Sequence, residues 1–143
     1  MLPKAATAVT RNTVFIVDDH PIVRQGLALL INREPDLAVC GDAEEAGSAL
    51  RRIEELKPNL IVVDISLSGP DGLDLLKDIR ARDVNLPVLI LSMLDESLYA
   101  ERALRAGANG YIMKQEATDR VAMSIVNAIQ QAVLALQPAK FGY

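Results

Sequence analysis

Val14-Phe-Ile-Val-Asp-Asp19 is a run of four apolar residues that stops on two carboxylates. Alternating apolar and polar residues mark a strand with one wet face. Consecutive apolar positions mark a strand covered on both faces, as in a parallel sheet. The same form recurs at Leu37-Ala-Val-Cys40, Leu60-Ile-Val-Val63, Val88-Leu-Ile-Leu91 and Gly110-Tyr-Ile-Met113. Helical patterns fill the intervals. Ile22, Leu29 and Leu30 follow Pro21, which suits a first helical turn, and Pro35 stops that helix. Ala46, Ala49, Leu50, Ile53 and Leu56 repeat at three and four before Pro58, and Leu73, Leu76 and Ile79 follow Gly72. A fourth helix is predicted over about 96–105, ending at Gly107, a residue suited to a left-handed C-cap. A fifth starts at the N-cap residue Thr118, carries Val121, Ile125, Ala128, Ile129, Ala132 and Leu136, and closes at Pro138. Five βα units with right-handed crossovers predict an α/β fold: a doubly wound, five-stranded parallel sheet with helices on both sides. In such sheets ligands bind outside the carboxyl ends of the strands.

Composition narrows the class. A chain of 143 residues, half of them hydrophobic, suits one domain with a sizeable core. With two Phe, three Tyr and no Trp, that core is aliphatic. Cys40 is the single cysteine and His20 the single histidine, which excludes a disulfide scaffold, a Cys-rich zinc module and a multi-His metal site. A net charge of −4 argues against a nucleic-acid surface on this chain. No apolar run is long enough to span a bilayer, and residues 1–12 lack the apolar centre of a signal peptide. The expected location is cytoplasmic. The domain expectation is a flexible leader over 1–12, one domain over 13–136, and a tail or linker start over 137–143.

The strand ends carry the chemistry. The first strand ends in Asp18-Asp19, the third in Asp64 and the fourth in Ser92, while Lys114 directly follows the fifth. Any one such aspartate is more often a helix cap facing water. If the first and third strands are neighbours, three carboxylates converge, and a cation is needed to offset their repulsion. An oxygen-only donor set favours a hard ion, best Mg²⁺. A metal, an aspartate, a hydroxyl and a lysine suit phosphoryl transfer, with Asp64 as the best-placed nucleophile. Phosphate-loop, dinucleotide-binding and nucleophile-elbow motifs are absent from the sequence.

The segments Phe15-Ile-Val-Asp-Asp-His-Pro21, Asp64-Ile-Ser-Leu67, Pro70-Asp-Gly72, Leu91-Ser92 and Gly107-Ala-Asn-Gly-Tyr-Ile-Met-Lys114 together resemble the receiver domain of two-component response regulators. The likeness covers roughly residues 13–136. It implies the flavodoxin-like strand order 2-1-3-4-5 with five helices. It also implies that Asp64 is the phospho-acceptor, charged by a sensor histidine kinase. Mg²⁺ would be held by Asp18, Asp19, Asp64 and the backbone carbonyl of Ser66. Ser92 and Tyr111 match the switch pair and Lys114 the phosphoryl-binding lysine, although a half-buried strand residue is an equally good bare reading of Tyr111. The run Asp18-Asp-His-Pro-Ile-Val-Arg-Gln-Gly26 is closest to the NarL/FixJ (LuxR-type) subfamily, whose members carry a DNA-binding helix-turn-helix domain. His20 reads as a loop residue beside the acidic pair. Ser68 stands where the family usually has proline, which predicts a looser loop after the third strand.

The expected role is therefore a phosphorylation switch and not an enzyme, contacting DNA only through an output domain for which residues 137–143 are too few. Alternatives are a stand-alone regulator working through protein contacts, a Mg²⁺-dependent phosphohydrolase, and a metal-free interaction module. The phosphohydrolase lacks a carboxylate two residues after Asp64, where Ser66 stands. Leu94 and Leu98, near Tyr99, are candidate homodimer contacts, with partly buried helix positions as the commoner explanation.

Overall fold

In the computed structural model five strands form one parallel sheet among the described residues: β1 (Asn12–Val17), β2 (Leu37–Ala43), β3 (Leu60–Asp64), β4 (Val88–Ser92) and β5 (Gly110–Met113). Their order is β2-β1-β3-β4-β5. The structure describes residues 11–64, 72–92 and 97–113, together with 126, 127, 129–131 and 134; positions 92, 97–99 and 113 are described by backbone alone. Four helices are bounded: α1 (Pro21–Asn32), α2 (Ala46–Leu56), α3 (Gly72–Arg82) and α4 (Ser97–Arg105). Helical residues at 126–127, 129–131 and 134 belong to the fifth. No helix among the described residues is long and apolar enough to cross a membrane.

The continuous apolar runs are explained by two cores. Phe15, Val17, Ile61, Val63, Val88 and Ile90 face one side and pack with Ala46, Ala49 and Ile53 of α2, Leu75, Leu76 and Ile79 of α3, and Ala103 of α4. The intervening residues Val14, Ile16, Leu60, Val62, Leu89 and Leu91 face the other side, with Leu27 and Ile31 of α1 and Ile129 of the fifth helix. A strand alternates its side chains between faces, so only a sheet covered on both can bury every position. Each fully buried aliphatic side chain contributes about 1.5–3 kcal/mol.

Several boundaries and faces depart from the sequence reading. β1 begins at Asn12, inside the expected leader, because Asn12 N–H donates to Asp36 O at 2.9 Å and Thr13 is tied to Asn59. The leader's residues 1–10 and the tail 137–143 lie outside the described residues. β2 runs on to Ala43 and is only partly buried between its ends, since it is an edge strand with a register shift opposite Val14/Phe15. In α1, Ile22 is 82% and Leu29 68% exposed, and neither joins the core. The helix buries Leu27 and Ile31, one turn apart, while Ile22 and Leu29 lie on the opposite face. Leu56 of α2 is also exposed. Gly107 has φ +108, the left-handed C-cap expected after α4. Lys57 closes α2 in the same region, at φ 49.

Candidate functional site

Register brings the strand ends together. Val17 pairs with Val63, so carrying the ladder on by one residue sets Asp18 beside Asp64. Asp64 in turn pairs with Leu91, and Ser92 with Met113. Asp18, Asp64 and Ser92 therefore share the carboxyl edge of the sheet. The next residue after Met113, Lys114, lies outside the described residues, as do Ser66, Ser68 and Leu94. Leu98 and Tyr99 fall in α4 by backbone.

Asp18 and Asp64 are fully buried, whereas the Asp19 side chain is 22% exposed. One carboxylate oxygen from each and one ring nitrogen of His20 all lie within 4.8 Å of one another. Two like charges 4 Å apart repel by about 4 kcal/mol at an effective dielectric near 20. One backbone N–H, that of His20, offsets part of this. Asp18 N–H continues the β1–β2 ladder to Ala43 O at 3.0 Å, and His20 N–H donates to Asp18 Oδ1 at 2.9 Å. Arg24, in the first turn of α1, donates from its guanidinium to Asp18 O at 2.7 Å and lies 3.8 Å from Asp42. The carboxylates also sit before the N-terminus of α1, whose dipole favours negative charge.

His20 contributes more than the sequence reading expected. Its Nδ1 lies 3.0 Å from Asp18 Oδ1, 3.0 Å from Asp19 Oδ1 and 3.7 Å from Asp64 Oδ2. The available signal was its place between Asp19 and Pro21. Arg24 was missed as well; its spacing of four from His20 puts both on one face of the first helical turn. Tyr111 of β5 is half-buried against the core beneath α2, α3 and α4, opposite Ile90. Away from the site, burial raises the Cys40 thiol above its ordinary value, and burial lowers the Arg80 guanidinium from its own.

Three carboxylate oxygens within this distance fit one small hard cation. Ligands about 2.0–2.1 Å from such an ion lie roughly 3–4 Å from one another. Among the described residues the site thus combines a fully buried aspartate on the central strand with a donor set for a divalent ion.

Residues 14–126 match the response regulator receiver domain. The chain belongs to that family. It is similar to the transcriptional regulatory protein YdfI of Bacillus subtilis, with 35% identity over 127 residues, covering 89% of this chain and 59% of YdfI. In structure it resembles a LuxR-family two-component response regulator from Aurantimonas sp. SI85-9A1, with a TM-score of 0.81 and 36% identity over 88% of this chain and 87% of that one. The response regulator domain of Thermotoga maritima CheB superposes with a TM-score of 0.80 and 29% identity, covering 90% and 99% of the two chains. This receiver is of the LuxR/NarL type, a signalling domain. The chain spans about half the length of curated relatives, from 50% of the fimbriae Z protein of Salmonella typhimurium to 59% of YdfI.

Proposed function

We propose that this receiver accepts a phosphoryl group on Asp64 from the phosphohistidine of a sensor kinase, and that the modification controls a DNA-binding output in the whole protein. The observation that carries the reading is Asp64: a buried carboxylate ending the central strand, with Asp18 and Asp19 oxygens within 4.8 Å. An Asp64 carboxylate oxygen forms the new bond to phosphorus, the phosphorus–nitrogen bond breaks, and the imidazole nitrogen leaves with the electron pair. Asp18 and Asp19, with Asp64 and the Ser66 carbonyl, would hold Mg²⁺. When bound, the ion supplies charge neutralisation for the transferred group.

The chain's own residues do the rest. β3 holds Asp64 rigidly between β1 and β4, so the nucleophile is positioned in advance. Lys114 offsets charge on the phosphoryl oxygens, and Ser92 donates a hydrogen bond to one of them. Tyr111 then moves inward from its half-buried position, changing the surface of α4, β5 and the fifth helix. Phosphorylation biases an existing equilibrium between two such arrangements. A transcriptional output is supported by relatives such as YdfI, whose name describes a transcriptional regulator.

Incubation with acetyl phosphate and Mg²⁺, read by intact mass, tests the proposal. The expected result is a gain of one phosphoryl group in the wild type and none in Asp64→Asn. An unmodified wild type, beside a receiver that is modified in parallel, overturns it.

A further inference from the structure

We infer that His20 is a direct ligand of the cation, which makes this pocket a site that favours first-row transition divalent ions over magnesium. The inference rests on the cation-binding reading of Asp18, Asp19 and Asp64 proposed above. Donor atoms that share one small ion sit roughly 3–4 Å apart. His20 Nδ1 keeps that spacing from all three carboxylates at once, at 3.0, 3.0 and 3.7 Å.

The backbone aims the ring there. Pro21 restricts the preceding residue to extended conformations, and His20 sits at φ −103, ψ 106. Although His20 occupies the N-cap of α1, its side chain makes no capping bond to the helix. The ring turns into the acidic pocket, and its 58% exposure keeps the outer side open to water and to a phosphoryl donor.

Chemistry then sets the preference. Magnesium favours oxygen ligands and retains its waters, so it gains little from an imidazole. Manganese, cobalt and nickel gain increasingly from a nitrogen donor. With a transition ion bound, Nδ1 would offer its lone pair as the nitrogen donor.

His20 is the single histidine of the chain, so labelling histidine with ¹⁵N labels one site. The test loads the 143-residue chain with Mn²⁺ and records electron spin echo modulation. The expected spectrum shows coupling to one directly bound nitrogen, which changes from ¹⁴N to ¹⁵N on histidine labelling. By calorimetry, His20→Ala should lose about tenfold or more in Mn²⁺ affinity while Mg²⁺ affinity moves less than about twofold. If Mn²⁺ binds without nitrogen coupling, and His20→Ala binds it equally or more tightly, the inference falls and the carboxylate site stands. If the wild type binds no divalent ion, the cation reading falls with it.

Discussion

The two edges of the sheet are built on opposite principles. At the carboxyl edge three carboxylates face one another, with His20 among them. At the amino edge a hydrogen-bond network closes the loops. Thr13 N–H donates to Asn59 Oδ1 at 2.8 Å, and Asn59 N–H returns a bond to Thr13 O at 2.9 Å. Arg80 donates to the carbonyls of Gly107, Asp83 and Leu86 and to Asn109 Oδ1, which also accepts from Val88 N–H at 2.9 Å. Gly107 fits only because it lacks a side chain; a Cβ there would lie 2.8 Å from Arg80 Nε. One edge ties its loops together and holds the fold, while the other gathers carboxylates that could bind a metal ion. Stability and function thus occupy opposite ends of the same strands.

Adding a cation should act on one edge alone. Mg²⁺ at a hundred times its Kd is expected to raise unfolding stability by about 2.7 kcal/mol, read from urea midpoints with and without chelator. Asp64→Asn should lose most of that increment. It should also be more stable than the wild type without metal, by on the order of 1 kcal/mol, because one repulsive charge is gone. An increment that survives in Asp64→Asn would break the contrast.

Arg80→Ala should act on the other edge, costing about 2 kcal/mol by leaving carbonyls and Asn109 without their donor. Acetyl phosphate should still modify Asp64 in this variant, and Mg²⁺ should still stabilise it. Loss of the Mg²⁺ increment in Arg80→Ala would mean that the two edges are coupled. The smallest effect is expected at Lys57, held at φ 49 in a region costly for any residue with a Cβ. Lys57→Gly should gain about 0.5 kcal/mol in urea unfolding, relief of strain slightly exceeding the entropy of glycine, with phosphorylation unchanged.

Much of this was legible in the chain order. The apolar runs at Val14–Val17, Leu60–Val63 and Val88–Leu91 lie where the three central strands lie, because only a doubly covered strand uses apolar residues at every position. β2 was harder to read. As an edge strand it needs no second apolar face, so Gly41 and Asp42 hid its true end. α1 misled for a different reason. Ile22 and Leu29 are apolar but exposed, and a helix with apolar residues on every side does not reveal which side is buried.

By itself the sequence determined the α/β class, the runs that become strands, and the carboxylates Asp18, Asp19 and Asp64 at their ends. Those features are local: periodicity and residue type suffice to read them. Only the tertiary structure decided that Asp18 and Asp64 stand side by side, that α1 turns Leu27 and Ile31 inward, and that His20 reaches all three carboxylates. Each depends on strand register or on the direction of a side chain, and these are settled by packing between segments far apart in the chain.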